Sequence, residues 1–288
     1  MKNCRSIQRW EVCSIAVLVL VLVAGSVGAQ EAEDPLYLRD RGAGVSSSMF
    51  GTYIRRHELF TYLYYEFYFD NNFEYSPDEL GYGLDQDFES KYRAHEGLIF
   101  LGFGLTEWLI WELEAAVIAA TLEKASGDPS TMPDKIDEAG LGDVETQIRW
   151  RWFRESPYRP EAFSFFETVF PLQKDRALIG TSEWEFKLGA GVTKGFPFGT
   201  FTVRAALEYA TAESAVELGE YAVEYLKRLS PHWRLFAAIE GSQDEVELIT
   251  EAQWHILPDK VILKLNNAIG ITPKATDWAP EAGVMVVR

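Results

Sequence analysis

Ser182–Phe196 reads SEWEFKLGAGVTKGF, and its side chains sort by parity. Trp184, Phe186, Leu188, Ala190 and Val192 fall on one face, and Glu183, Glu185, Lys187, Gly189, Gly191 and Thr193 on the other. Successive side chains of a strand point to opposite faces, so a period of two predicts a strand with one apolar and one polar side. The same reading holds for Asp143–Phe153, where Val144, Ile148, Trp150 and Trp152 oppose Asp143, Glu145, Gln147, Arg149 and Arg151. In Phe201–Tyr209, Phe201, Val203, Ala205, Leu207 and Tyr209 oppose Thr202, Arg204 and Glu208. In Val246–Ile256, Val246, Leu248, Ala252, Trp254 and Ile256 oppose Glu247, Glu251, Gln253 and His255.

Working outward, the pattern predicts strands over 58–70, 89–104, 108–122, 142–154, 161–170, 182–195, 199–211, 214–229, 232–241, 245–257, 260–271 and 279–288. The connections alternate in kind. Tight ones fall at Thr106-Glu107, Ser156-Pro157-Tyr158, Pro197-Phe198-Gly199, Ser230-Pro231 and Pro258-Asp259. Long polar ones fall at Asn71–Phe88, Glu123–Gly140 and, shorter, Pro171–Thr181. An even strand count, short turns at one end and longer loops at the other describe a transmembrane barrel with both termini on the periplasmic side. Trp108, Trp152, Phe153, Tyr158, Phe196, Phe198, Trp233 and Trp254 cluster near the tight turns, where an interfacial girdle belongs. The expected fold is all-β: a closed antiparallel transmembrane β-barrel of about 12 strands, an up-and-down meander over residues 58–288. A secreted sandwich shows the same alternation, but these strands exceed the usual five or six residues of soluble sheets. In lipid, unpaired backbone groups are penalised, so a spanning sheet must close.

The N-terminus carries Lys2, Arg5 and Arg9, an apolar run Ile15–Val23, and small residues ending Val27-Gly28-Ala29. That order predicts a secretory signal over 1–29, cut after Ala29. Cys4 and Cys13 both fall inside it, which removes cysteine chemistry from the mature chain. The full chain holds 27 Lys+Arg against 44 Asp+Glu. Without Lys2, Arg5, Arg9 and Glu11 the balance is 24 against 43. So acidic a chain excludes nucleic acid as a partner. Residues 30–57 stand outside the strand rhythm: Gly42–Phe50 is small and polar, and Thr52-Tyr53-Ile54 is briefly strand-like before Arg55-Arg56-His57. Both a periplasmic lead-in and a segment entering the lumen fit this stretch. The chain ends Val284-Met285-Val286-Val287-Arg288 rather than on the aromatic residue common in barrels, so the twelfth strand is the least secure of the set.

If the apolar face meets lipid, the polar face lines a lumen: Glu112, Glu114, Glu145, Gln147, Arg149, Arg151, Glu183, Glu185, Lys187, Arg204, Glu208, Glu247, Glu251 and Gln253, with Lys264 and Asn266. Eight strands fill with side chains and sixteen to eighteen hold open aqueous channels, and twelve falls between. Charges of both signs on a wall tune passage by field and hydrogen bonding; the bland alternative is that they cross-brace the interior.

Gly140-Leu141-Gly142-Asp143, leading to Arg149-Trp150-Arg151-Trp152-Phe153, and Phe166-Glu167-Thr168-Val169-Phe170-Pro171-Leu172 resemble motifs of the phenol meta-cleavage pathway (MetA-type) family of outer-membrane channels, where a GLGD start to a strand and a strand end of the type fE…fPt are familiar. The resemblance implies an outer-membrane protein passing small aromatic or hydrophobic compounds.

Catalytic readings have less to rest on. A lipid-cleaving barrel needs a serine with a histidine base, and the four histidines are His57, His95, His232 and His255. No Gly-x-Ser-x-Gly elbow and no His-Glu-x-x-His pattern occurs. The acidic run Asp78, Glu79, Asp85, Asp87 and Glu89 lacks the ordered spacing of a calcium loop. The expectation is therefore a channel for passive or weakly selective passage of small solutes, without cofactor, metal or enzymatic activity, in the bacterial outer membrane. Its partners would be outer-membrane lipid, lipopolysaccharide, the barrel-assembly machinery and a small-molecule solute. The alternatives are a plugged structural or binding barrel and an outer-membrane lipid-modifying enzyme.

Overall fold

The computed structural model describes residues 35–181, 183–211, 215–243 and 245–288; the expected signal and its cleavage point lie outside them. A 3-10 turn over Leu36–Leu38 precedes a small hairpin, β1 (Val45–Ser46) paired antiparallel with β2 (Tyr53–Ile54). Twelve strands follow: β3 (Leu59–Tyr75), β4 (Phe88–Gly104), β5 (Leu109–Glu123), β6 (Lys135–Phe153), β7 (Glu161–Phe170), β8 (Glu185–Phe196), β9 (Gly199–Ala210), β10 (Ala215–Arg228), β11 (Trp233–Ser242), β12 (Glu245–Leu257), β13 (Val261–Gly270) and β14 (Ala279–Val287). Each pairs antiparallel with its neighbours in sequence, and β14 returns to β3, closing the barrel through pairs such as Val284 with Leu63. The expected closed meander is what the chain forms. The last strand, unsettled in sequence, is paired on both sides, with β13 and with β3.

The alternating side chains explain the closure. Leu63, Val117, Ile148, Leu188, Leu207, Val223 and Leu265 are exposed on the outer surface, while Arg149, Lys264 and Tyr62 are buried on the inner one. An apolar outside with a polar inside inverts a soluble protein and matches a lipid-facing barrel. Aromatics ring the tight-turn end: Trp233 stacks on Trp254 at 5.9 Å and Phe196 on Phe198 at 5.4 Å, while Arg154 and Arg159 cap Trp108 and Phe153. A second ring, which the turn-based reading of the sequence missed, stands at the other end, where Trp184 meets Phe170 edge-on and Trp278 bridges to Phe69. Among the described residues, no helix is long and apolar enough to cross a membrane.

Three expectations need correction. Glu123–Gly140 is not one loop, because β6 begins at Lys135 and runs 19 residues. Gly140-Leu141-Gly142-Asp143 is therefore not a strand start but lies within β6. The register jumps there from Val144↔Ala115 to Leu141↔Val117, a bulge at Gly142-Asp143. The extra residue shifts the alternation by one: Gln147, Arg149 and Arg151 are the buried positions below the bulge, and Ile136 is one above it. Third, short and long connections do not alternate strictly. Loops 76–87, 124–134, 171–184 and 271–278 carry the asymmetry, while 211–214 and 243–244 at the same end are as short as the tight turns.

Candidate functional site

The lumen is the concave, charged space of this fold, and its two ends are built differently. At the tight-turn end, residues 40–54 lie inside the barrel, with 35–39 and 55–57 at its rim. Their partners surround them: Ser48 N and Oγ donate to Glu112 of β5 at 3.2 and 2.7 Å, Arg149 of β6 donates to Ser47 O at 2.9 Å, and Lys264 of β13 donates to Phe50 O at 2.8 Å. Val45 and Ile54, fully buried, pack with Tyr62, Phe100, Ile110, Ile262 and Met285, and Tyr53 packs with Leu226, Phe236 and Ile249. Burying such side chains stabilises by roughly 1.5–3 kcal/mol each. Arg41 is fixed between Glu155 at 3.1 Å and Glu161 at 3.0 Å, and Arg151 reaches the same Glu161 oxygen at 3.1 Å. Burial alone would lower the Arg41 pKa, but Glu161 and Glu155 hold it above its usual value; for the Tyr53 phenol burial acts the other way and raises the pKa.

The wall is shaped for this segment. Gly195 and Gly104 lie so close to Tyr37 O and Arg55 O that an added Cβ would sit 1.8 and 1.9 Å from them. Here glycine is required by close approach of another backbone. Asp40 accepts from Arg228 N at 3.0 Å, and His57 N donates to Gly104 O at 2.7 Å, fixing both feet of the segment at the rim.

Above the segment the lumen opens into two contiguous cavities of about 380 and 470 Å³. The lower one has Ser48, Met49 and Phe50 as its floor. Among the described residues they are lined together by twelve glutamates against Lys187, Arg204 and Lys274. Tyr64, Tyr68, Phe73 and Tyr92 add aromatic faces. At the centre Arg204 binds Glu224 at 2.8 Å, Glu240 at 2.9 Å and Glu220, and lies over the Phe50 ring at 5.4 Å. Lys187 pairs with Glu167 at 3.0 Å, and Gln147 donates to the other Glu167 oxygen at 2.6 Å.

The residues singled out in sequence distribute over both regions. Glu112, Gln147, Arg149, Arg151, Arg204, Glu251 and Gln253 are buried on the inner wall. Glu114, Glu145, Lys187, Glu208 and Glu247 line the cavities, as does Asn266. Glu185 opens β8 beside them, whereas Glu183 stands ahead of that strand. Lys264 joins Glu251 at 3.0 Å, and Glu251 accepts from Gln253 at 2.6 Å. Sequence reasoning missed Glu66, Glu96, Glu220, Glu240 and Glu281, all at the cavities. Glu66 and Glu96 do sit on alternating strands, and their parity was the available signal.

The mouth is narrowed on one side. Glu138 accepts from Ala177 N and Leu178 N, and Asp143 accepts from Leu172 N and Thr181 N, folding loop 171–184 inward. Ile179 there packs on Ala94 and Ala120. Loops 76–87 and 124–134 join Tyr75, Leu122 and Ile136 through Leu80, Tyr82 and Met132. His95 lies on the outer face with Tyr65 Oη at 2.6 Å from its Nδ1, while His255 is buried inside near His232. Among the described residues, no cluster of three or more His, Cys, Asp or Glu side chains could hold a metal ion.

No family model matches the sequence, and no curated protein matches it. Among solved structures, the chain is similar to an outer membrane channel from Pseudomonas putida F1, with a TM-score of 0.59 and 14% identity over 82% of this chain and 97% of that one. A match to the translocator domain of autotransporter NalP from Neisseria meningitidis has a TM-score of 0.47 and 11% identity, covering 97% of this chain and 95% of that one. At this identity the first likeness bears on the fold alone, a closed antiparallel β-barrel.

Proposed function

We propose that this protein is a bacterial outer-membrane channel for small solutes that prefers cations and compounds with an aromatic part. The observation that carries the reading is the acidic cavity inside a closed, lipid-facing barrel, lined by twelve glutamates against three basic side chains. A cleft lined by one sign of charge between low-dielectric walls concentrates the opposite ion. Tyr64, Tyr68, Phe73 and Tyr92 offer ring faces to a cation or an aromatic solute.

The test is single-channel current from the mature chain in a planar bilayer under a potassium chloride gradient. Discrete steps with a reversal potential displaced toward the potassium equilibrium value are expected. A folded barrel that stays silent at every voltage overturns the channel reading. It would favour a second one, a plugged binding barrel, which the position of residues 35–57 in the tight-turn half also supports.

A further inference from the structure

The inserted segment meets the barrel wall through side chains such as Arg41 and, at five further wall residues, through its main chain. Arg151 donates to Ala43 O and Gly44 O at 3.0 Å each, Arg149 to Ser47 O at 2.9 Å, Lys264 to Phe50 O at 2.8 Å and Gln253 to Gly51 O at 3.5 Å. In the opposite sense Glu112 accepts from Ser48 N at 3.2 Å. Five wall side chains from β5, β6, β12 and β13 thus read carbonyl and N–H groups along the hairpin and its turn.

The segment also contributes no strand to the barrel. Its two short strands pair with each other, and the ring of twelve closes through β14 and β3 without them. Both feet of the hairpin stand at the tight-turn rim, Arg41 beside Glu155 and His57 beside Gly104. Its withdrawal through that end would break no barrel strand pair.

We propose that the tight-turn half of the lumen is a binding site for a polypeptide hairpin, recognised in good part through its main chain by Arg149, Arg151, Lys264, Gln253 and Glu112, and that residues 35–57 occupy it as a withdrawable intramolecular ligand. Val45, Tyr53 and Ile54 supply apolar anchorage, and the five polar side chains supply register. The site adjoins the acidic cavity above it and shares Glu112 with it. Its occupancy decides whether that cavity communicates with the tight-turn end.

The experiment uses the full chain with a protease recognition sequence inserted between Arg56 and His57. The folded barrel is cleaved in detergent and incubated with a labelled synthetic peptide of residues 35–57, and binding is followed by fluorescence polarisation. The labelled peptide is expected to replace the nicked segment while the barrel stays heat-modifiable. N-methylation at Ser48, which deletes the N–H given to the Glu112 carboxylate, is expected to weaken binding about tenfold, the scale of a hydrogen bond to a charged group. Ser46→Ala in the peptide is expected to stay within about twofold, since it leaves the main chain intact. Equal binding of the N-methylated peptide, a barrel that unfolds as the segment departs, or a nicked segment that never exchanges would each overturn the proposal. Hydrogen exchange in the uncleaved chain gives a check free of the insertion: the Ser48 amide should exchange faster than amides of the β12–β13 ladder, and equal protection would mark a permanent strut. Neither readout needs current, so failure of conduction and failure of this site are separately visible.

Discussion

In the tight-turn half of the lumen, buried cations and carboxylates come in sets that neutralise one another: Arg41 and Arg151 with Glu155 and Glu161, and Lys264 with Glu251. In the long-loop half, glutamates outnumber basic side chains twelve to three. The difference follows from water. Where residues 35–57 displace solvent, an unmatched charge faces a desolvation penalty of several kcal/mol, so most charges are matched, and the buried Arg149 is held instead by Gln147, the Ser47 carbonyl and the rings of Phe163 and Phe165. Where the lumen is an open cup, water and counterions screen the wall, and a surplus of one sign can be kept for its effect on passing ions. One half is built for seating and the other for selection.

The comparison is broken most severely by Glu161→Ala. That change leaves Arg41 and Arg151 facing each other with one carboxylate fewer, in a place where both guanidinium groups are almost wholly buried. Removing one partner of a buried ionic set costs about 3–5 kcal/mol, to be seen as a lowered midpoint of urea unfolding in detergent. A midpoint unchanged within error would mean that water reaches this site and that the two halves do not differ in solvation.

Gly195→Ala comes next. Its Cβ would sit 1.8 Å from Tyr37 O, a backbone atom that cannot swing aside. Overpacking of this kind costs about 1–3 kcal/mol, and the strain falls on the seating of the segment rather than on barrel hydrogen bonds. Protease sensitivity of residues 35–57 should rise while heat-modifiability is kept. Simultaneous loss of both would show that segment and wall fold as one unit.

The cup is tested by neutralising Glu66, Glu96 and Glu247 to glutamine. These line the cavities, so the change should lower the potassium-to-chloride permeability ratio by up to about tenfold, within the range reported for charge-lined clefts, and leave the unfolding midpoint nearly in place. A large loss of stability with no change in selectivity would assign these glutamates to bracing instead.

How much of this was legible in sequence depends on how far each feature reaches along the chain. Period-two alternation is local, so Trp184 through Val192 exposes a strand by itself, and a short connection such as Pro197-Phe198 marks the turn that follows. The seating of residues 35–57 is not local. Ser47 meets Arg149 across 102 positions and Phe50 meets Lys264 across 214, and nothing near Gly42–Phe50 advertises those partners. Gly104 and Gly195 do carry a trace, as glycines at strand ends whose missing side chains make room for another backbone. The inward fold of loop 171–184 escaped for the same reason: the carboxylates that draw it in, Glu138 and Asp143, stand on a strand whose first turns read as loop.

The smallest effect is expected at the bulge, and it separates two explanations for Gly142-Asp143. The sequence reading made these residues a turn into a strand, whereas the structure places them in the middle of β6, where they exchange inner for outer positions. A Cβ on Gly142 would meet Ile118 Cδ1 at 2.8 Å, but that atom is the end of a flexible side chain and can rotate away. Gly142→Ala should therefore cost about 1 kcal/mol or less, at the lower edge of what overpacking does. Asp143→Ala, by contrast, removes the acceptor for Leu172 N and Thr181 N. It should free loop 171–184, with faster exchange of those two amides and a wider mouth seen as higher conductance. If Gly142→Ala were the more disruptive of the two, the motif would be serving the strand's own geometry; if Asp143→Ala is, the bulge exists to aim one carboxylate at a loop and so to set the width of the acidic mouth.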